Sequence, residues 1–348
     1  MAEKGRIGDS RIGDRPHSSQ RVDSFTRGKR GLSPFRALAR LNAAAILLII
    51  IEGYATSGEE WRWEEGSWKK EPPRVTDRLD QEWQEALALY NAKSYESASK
   101  RFLRLQKEEK NRYWFNARLM RAMCFLELGE LEEAYKGFHK LLEDAPPEEI
   151  REGVLEGEMR IARQYLSGTK LKALGMRVFD GFDRAARILK EVADRDRSGL
   201  LAPEALLALG DGYFKRGDFL ESALSYETLV KRFPSDERRM KAELYLTICR
   251  LKESRGPAYD PAPYIESRDA LEDFLQKYGT REEAPMAQEL LKEVKETLAE
   301  QEYRVAQYYK RAKRPEAARR YLQSLVDNYA DTTWGKKAEK ELAQFKSP

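Results

Sequence analysis

The sequence predicts an all-α fold, a right-handed solenoid of about five to six stacked helix pairs. Two observations carry this prediction. From about Leu79 onward the chain is rich in Ala, Leu, Glu, Lys and Arg and shows no alternating strand pattern. The same stretch also repeats small and large apolar residues at helical spacing. Units of this kind bury their apolar faces by stacking on one another.

A small residue marks the second helix of each predicted pair. Four residues after it stands a large apolar residue, a spacing that places both on one face of a helix. The small residues are Ala98, Ala134, Ala185, Ser222, Ala270 and Ala318, and the apolar residues are Phe102, Phe138, Leu189, Tyr226, Phe274 and Leu322. A further apolar residue follows three positions later in every pair except the fifth, where Lys277 breaks the pattern.

A first helix precedes these marks, with a short turn between the two helices. Its small-residue position, where only a small side chain permits close contact between helices, is filled by Ala86, Ala122, Gly210 and Ala306. The unit "LLALGDGYFKRGDFLESALSYETLVKRFP" matches the tetratricopeptide pattern at the expected offsets. We therefore interpret the pairs as tetratricopeptide repeats.

Two of the predicted pairs are interrupted. The third carries an insertion within "SGTKLKALGMRVFDG", and the fifth carries "SRGPAYDPAPY", whose three prolines require a loop. Residues from Ala284 to about Arg311 are predicted to form one long helix ahead of the last second helix.

The N-terminal region predicts a targeting segment. Residues 1–57 combine a basic tail with "LNAAAILLIII" (Leu41 to Ile51), which has the length of the apolar core of a secretory signal and is too short to span a membrane. Cleavage after Ala55 or Ser57 fits the small residues that follow. The alternatives are a retained single anchor and an apolar stretch without a targeting role. The first two hypotheses place the bulk of the chain outside the cytoplasm.

Residues 58–78 read as a Trp-rich linker before the solenoid, which we assign to residues 79–348. The linker contains "EWRWEEGSWKK", with Trp61, Trp63 and Trp68. Three hypotheses stay open for these side chains. They cap the apolar face of the first repeat, they contact a membrane interface, or they dock to a partner protein.

Composition excludes several classes of function. Residues 1–40 carry ten Lys or Arg and four Asp or Glu, so the remaining chain is nearly neutral and unlike a nucleic-acid surface. Cys124 and Cys249 are too few for a disulfide framework and are predicted to lie in the core. Because His17 and His139 are the only histidines, we expect no catalytic triad and no histidine metal cluster. We predict a non-catalytic protein without catalytic, cofactor-binding or metal-binding residues.

The stretch "DRDRSG" (Asp194 to Gly199) resembles the start of a calcium loop. The loop's twelfth position is Ala205, where a bidentate Glu is expected, so we interpret the stretch as a turn between helices.

The last unit, "LAEQEYRVAQYYKRAKRPEAARRYLQSLVDNYADT" (Leu298 to Thr332), resembles the C-terminal repeat of the BamD (YfiO/ComL) family of outer-membrane assembly factors. The matching residues are Leu298, Ala299, Glu300, Tyr303, Tyr308, Tyr309, Tyr329, Asp331 and Thr332. The proline-containing insertion resembles planctomycete-type members. Three features depart from the family pattern: Ala330 replaces a proline, Arg314-Pro315 replaces a glycine-aromatic turn, and no cysteine follows the apolar run as a lipid attachment site.

The resemblance covers roughly residues 79–345. It implies a periplasmic scaffold, associated with the outer membrane, that binds a BamA-type barrel protein and assists the assembly of outer-membrane β-barrel proteins. The alternative is a general cell-envelope tetratricopeptide adaptor that binds peptide segments of another partner.

Seven residues are predicted to contact a partner. Four lie on first helices that would line a concave groove, although packing within the repeat is the alternative role for the two tyrosines among them. Three lie near the C-terminal end, which members of the resembled family use for docking. The first group is Arg118, Arg121, Tyr213 and Tyr309, and the second is Tyr308, Arg311 and Lys313.

Overall fold

A computed structural model describes residues 61–64, 67–70, 78–107, 111–168, 171–173, 176–179, 181–196 and 199–345. The predicted basic tail and the signal or anchor segment lie outside these residues. The chain divides into two compact units, Met1–Glu71 and Pro72–Pro348, which we describe separately.

Within the first unit, the described residues form a β-hairpin. Strand β1 (Trp61–Glu64) pairs with β2 (Ser67–Lys70) in antiparallel register, and Trp63 lies opposite Trp68. We expected a Trp-rich linker here, and the alternation of tryptophan and charged residues in β1 suits a strand. The tryptophan side chains lie outside what the structure describes, so their three possible roles stay predictions.

The second unit is a succession of helices, thirteen of them within the described residues. They are α1 (Arg78–Asn91), α2 (Tyr95–Leu105), α3 (Trp114–Glu127), α4 (Leu131–Glu143), α5 (Glu148–Leu166), α6 (Phe182–Arg195), α7 (Ala202–Arg216), α8 (Phe219–Arg232), α9 (Arg238–Glu253), α10 (Ala262–Tyr278), α11 (Ala284–Arg311), α12 (Pro315–Tyr329) and α13 (Thr333–Phe345). The predicted all-α fold is confirmed.

The helices are stacked in the manner of a repeat protein. Each packs against the next along the chain, and α3, α7 and α11 also pack against the next first helix or its equivalent, α5, α9 and α13. The first twelve helices form six pairs, α1/α2 to α11/α12, and α13 covers the last pair. Contacts confined to neighbouring units define a solenoid, so the tetratricopeptide solenoid is confirmed.

In five of the six pairs, the small and large apolar residues that the sequence analysis placed on one helix face are buried. Phe102, Phe138, Leu189, Tyr226 and Leu322 are all fully buried beside their small-residue marks. For the fifth pair, the predicted buried small residue is wrong. Ala270 is exposed, and the buried face of α10 is formed by Ser267, Leu271 and Phe274. Both sets of residues have the i, i+4, i+7 spacing, but the stripe from Ser267 ends in the buried Phe274, whereas the stripe from Ala270 ends in the exposed Lys277.

The two insertions differ in structure. Between α5 and α6, strands β3 (Leu171–Ala173) and β4 (Met176–Phe179) form a second antiparallel hairpin, which the sequence analysis did not predict. Between α9 and α10 the chain makes turns from Ser254 to Pro261, as the prolines indicate. The long helix predicted from Ala284 to Arg311 is α11.

Both cysteines lie in the helical core. Cys124 and Cys249 are fully buried and unbridged, and burial raises the pKa of the Cys124 thiol to about 12. They therefore have the packing role that the sequence suggested.

Candidate functional site

Two of the predicted contact residues, Arg118 and Arg121, meet in one cleft. The cleft has a volume of about 360 Å³ and lies along α3, between the second helices α2 and α4. Its polar and aromatic lining consists of Gln106, Trp114, Arg118, Arg121, Phe125, Lys140 and Asp144. We call this the cationic cleft, because its three basic side chains outnumber its single carboxylate.

Arg118 is held in place by its neighbours. It forms an ion pair with Asp144, and its Nη2 donates to the carbonyl oxygen of Lys140 at 3.3 Å. The guanidinium also lies 4.5 Å from the centre of the Trp114 ring, a cation–π distance. With these contacts fixing its orientation, Arg118 forms a wall of the cleft that loses little conformational entropy on binding.

Arg121 has a hydrogen-bond donor that is left without an acceptor. Its guanidinium lies 5.1 Å from the Phe125 ring, and its Nε is buried without a hydrogen-bond partner among the described residues. A buried donor without an acceptor costs on the order of 1–3 kcal/mol. A carboxylate that entered the cleft would supply that acceptor. The cleft is thus suited to an acidic group beside an apolar or aromatic one.

The floor of the cleft depends on close helix contact. Gly137 of α4 faces Ala122 of α3, and a Cβ added at Gly137 would lie 3.0 Å from the Ala122 Cβ. The predicted small-residue position of the second pair therefore brings α4 close enough to α3 to form the cleft.

The sequence analysis found two residues of this site and missed the others. Trp114, Arg118, Arg121 and Phe125 are spaced i, i+4, i+7 and i+11, which is one face of a helix. That spacing was a usable signal. The structure directs this face toward α2 and α4, whereas α3 meets the first helix α5 through other residues, such as Glu127, which pairs with Arg160.

Three other predicted contact residues lie at the end of the first helix of the last pair. Tyr308 is 61% exposed, and Arg311 and Lys313 are exposed beside it. We call these three residues the terminal patch. Tyr309 is instead half-buried, because its ring stacks on Tyr321 with centroids 5.4 Å apart.

Tyr213 also packs within the array. Its ring meets Phe182 of the preceding second helix edge-on, with centroids 5.1 Å apart. The packing alternative for Tyr213 and Tyr309 is therefore the one that their contacts favour, and the exposed residues of the terminal patch are the better candidates for a partner.

In the "DRDRSG" stretch, Asp194 and Arg195 end α6, and Asp196 caps the start of α7. The Asp196 carboxylate accepts backbone N–H groups of Gly199, Leu201 and Ala202 at 3.1, 2.7 and 2.7 Å. Its oxygens are thereby committed to the start of α7. This observation supports the interpretation of the stretch as a turn.

The chain is similar to two families of known proteins. Residues 179–345 match the YfiO family, described as an outer membrane lipoprotein, and residues 116–147 match a tetratricopeptide repeat family. The outer membrane protein assembly factor BamD of Helicobacter pylori is 26% identical over 139 residues. The predicted resemblance to BamD is confirmed. The match spans 38% of this chain and 60% of the length of that BamD.

Solved structures with a related helical arrangement are more distant. The MamA RS-1 ArsTM double mutant is 14% identical, with 58% of this chain and 96% of that chain covered and a TM-score of 0.32. The apo form of the quorum sensor NprR from B. thuringiensis is also 14% identical, with 72% and 76% covered and a TM-score of 0.31.

The BamD-like region contains the whole terminal patch, whereas most of the cationic cleft, from Arg118 to Asp144, falls in the region that matches the general repeat family. Within the described residues, no helix is both long and apolar enough to cross a membrane.

Proposed function

We propose that this protein is a non-catalytic extracytoplasmic scaffold that binds a BamA-type barrel protein and assists the assembly of outer-membrane β-barrel proteins. The observation that carries the proposal is the match of residues 179–345 to the outer membrane lipoprotein family, supported by the likeness to a BamD. A stacked helical array suits this role, because such arrays bind other proteins along extended surfaces.

The terminal patch is the proposed docking surface for the barrel protein. An exposed tyrosine flanked by Arg311 and Lys313 offers an amphipathic ring and two positive charges. Tyr and Arg are the residue types that most often carry binding energy at protein interfaces. The surface fits an acidic partner region that also presents apolar side chains.

The location follows from the same proposal. We place the folded chain in the periplasm, attached to the outer membrane through its partner. Retention by an uncleaved N-terminal helix is the alternative. N-terminal sequencing of the protein recovered from fractionated membranes separates the two, because cleavage after Ala55 or Ser57 would expose a new N-terminus.

Co-purification from membranes tests the proposed partner. A tagged full-length chain is recovered after mild detergent extraction, with and without crosslinking, and its partners are identified by mass spectrometry. Recovery of a barrel protein bearing periplasmic domains is the expected result. Its consistent absence under crosslinking would contradict the proposal.

A charge-reversed terminal patch makes this test specific. The variant combines Tyr308→Ser, Arg311→Glu and Lys313→Glu and should lose the barrel protein while keeping the helical signal of the unmodified chain. All three residues are exposed, so the substitutions should leave the buried core of the array intact.

The chain offers a matched control for that variant. Lys252, Arg255 and Tyr259 form a second exposed group of one tyrosine and two cations, at the turn after α9. The corresponding triple variant (Lys252→Glu, Arg255→Glu, Tyr259→Ser) should retain the barrel protein. Equal loss in both variants would mean that net charge, rather than the terminal patch, governs recovery.

A general cell-envelope adaptor is the second candidate function. The cationic cleft favours it, because the cleft lies outside the BamD-like region and is suited to an acidic segment of any partner. Recovery of a different envelope protein, lost on Arg121→Glu and without any barrel protein, would establish this alternative.

A further inference from the structure

A second polar cluster lies where α4, α5 and α6 meet, apart from the cationic cleft and the terminal patch. His139 of α4, Glu158 of α5 and Glu191 of α6 each offer one ligand atom, and these atoms lie within 4.8 Å of one another. The three residues are far apart in the sequence. Only the stacking of the second and third helix pairs brings them together.

The negative charges of the two glutamates are only partly balanced by neighbouring positive groups. Glu158 is fully buried, and its two carboxylate oxygens lie 3.4 and 3.3 Å from Nη1 of Arg195. The same guanidinium donates from Nη2 to Glu191 at 3.1 Å. One arginine therefore serves two carboxylates, with long hydrogen bonds to the buried one.

Glu191 has one further donor. The Tyr135 hydroxyl donates to its Oε2 at 2.7 Å, so Glu191 is oriented toward the centre of the cluster by two neighbours. Metal-binding carboxylates are typically oriented in this way by groups behind them.

The histidine is available as a ligand. Nδ1 of His139 is buried and has no hydrogen-bond partner among the described residues. Its ring lies against Tyr135, with centroids 5.7 Å apart and an angle of 23° between the planes, which fixes the plane of the imidazole. A buried ring nitrogen without a partner loses hydration without any gain in hydrogen bonding, and coordination to a cation would supply that gain.

We propose that His139, Glu158 and Glu191 bind a divalent transition metal ion, and that Zn²⁺ is the ion the ligand set suits best. One imidazole nitrogen and two carboxylate oxygens form a borderline donor set, and zinc accepts these donors at about 2.0–2.2 Å with water in the remaining position. Ligands of a tetrahedral site lie about 3.4 Å apart. Small rotations of the three side chains would close the cluster to that distance.

The site would act as a clamp between repeats. A bound ion would join α4, α5 and α6 and so fix the second helix pair against the third. Its charge would complement the two glutamates and leave Arg195 as a partner for their outer oxygens. Binding to the folded chain alone would also stabilise the array.

Titration with Zn²⁺ tests the site in the full-length chain. After treatment with a chelator and its removal, isothermal titration calorimetry should show one bound ion per chain. The melting temperature should rise with added Zn²⁺. An unmodified chain that takes up no stoichiometric Zn²⁺ would overturn the proposal.

The two histidines of the chain provide a matched pair of variants. His139→Ala should weaken Zn²⁺ binding at least about tenfold and abolish the rise in melting temperature, whereas His17→Ala, in the N-terminal tail, should change neither. Unchanged binding by His139→Ala, or loss of binding in His17→Ala, would overturn the assignment. His139→Gln and Glu191→Gln keep the side-chain size and replace any variant that fails to give the normal helical signal.

A spectroscopic readout separates coordination from a general effect on stability. Co²⁺ in place of Zn²⁺ should give visible absorption bands in the unmodified chain, with an intensity typical of four- or five-coordinate cobalt. The bands should be absent in His139→Ala. Weak bands typical of six-coordinate aqueous cobalt in the unmodified chain would contradict the proposed site.

Discussion

The contact between Gly210 and Tyr226 gives the sharpest stability prediction. A Cβ added at Gly210 of α7 would lie 2.5, 2.7 and 2.9 Å from three ring carbons of Tyr226 on α8. Carbon atoms are normally in contact at about 3.5–4.0 Å. The tetratricopeptide pattern requires a small residue here, and the structure shows that even alanine is too large.

The ring cannot move away without further cost. Tyr226 is fully buried, and its hydroxyl donates to Asp211 at 2.7 Å. Asp211 also accepts from the Lys241 ammonium at 2.7 Å, which ties the contact to the next first helix. A ring displaced by a methyl group at position 210 would therefore strain or break its hydrogen bond to Asp211, the residue that also pairs with Lys241 of the next repeat.

The magnitude follows from two opposing contributions. Overpacking of a filled core costs about 1–3 kcal/mol. Replacing glycine by alanine inside a helix contributes about 1 kcal/mol in the opposite direction. The two contributions leave a net loss of about 0–2 kcal/mol. Because the added Cβ would lie as close as 2.5 Å to a ring carbon, we expect Gly210→Ala to lower the free energy of unfolding by an amount in the upper half of that range, about 1–2 kcal/mol.

Urea unfolding followed by circular dichroism measures this change, and a double-mutant cycle identifies its cause. In a Tyr226→Leu background the ring is gone, so Gly210→Ala should be neutral or stabilising. An alanine variant as stable as the unmodified chain would refute the steric reasoning. So would an equal loss of stability in both backgrounds.

Three further predictions follow from local geometry. Gly217→Ala should lower the free energy of unfolding by about 1 kcal/mol. Gly217 has φ +83° and open space around it, so the added methyl group introduces backbone strain and no clash. An unchanged urea midpoint would contradict this prediction. Asp196→Ala should cost about 2 kcal/mol by removing the acceptor at the start of α7, whereas a cost near zero would mean that the turn holds without it. Burial raises the pKa values of Cys124 and Cys249, so at pH 8 both stay protonated thiols. Neither should react with a thiol reagent until denaturant is added, and rapid labelling of the folded chain would contradict the buried assignment.

Much of the fold could be predicted because helical periodicity is a local property. Ala134 and Phe138 lie four residues apart, and burial of one predicts burial of the other on the same face. The fifth pair shows where this reasoning fails. Ser267 and Ala270 are both small, and both have a large apolar residue four positions later. The exposed Lys277 was the sign that the stripe begins at Ser267.

The hairpins were not predicted for a different reason. Segments as short as Leu171–Ala173 and Met176–Phe179 carry too few residues for an alternating pattern to stand out from a loop.

The candidate sites depend on contacts that are distant in sequence. Arg118 and Arg121 could be placed on one helix, but their cleft also needs Lys140 and Asp144 from α4. The cluster of His139, Glu158 and Glu191 draws one residue from each of three helices. No spacing in the sequence indicates it, because the insertion before α6 changes the distance between repeats.

Site-specific photo-crosslinking tests the proposed function most directly. A photoreactive amino acid replaces either Tyr308 of the terminal patch or Tyr259 of the control group, which are 61% and 73% exposed. Irradiation of intact cells should crosslink a barrel protein with periplasmic domains from position 308 and not from position 259. Absence of that protein from position 308, or equal crosslinking from both positions, would contradict docking through the terminal patch.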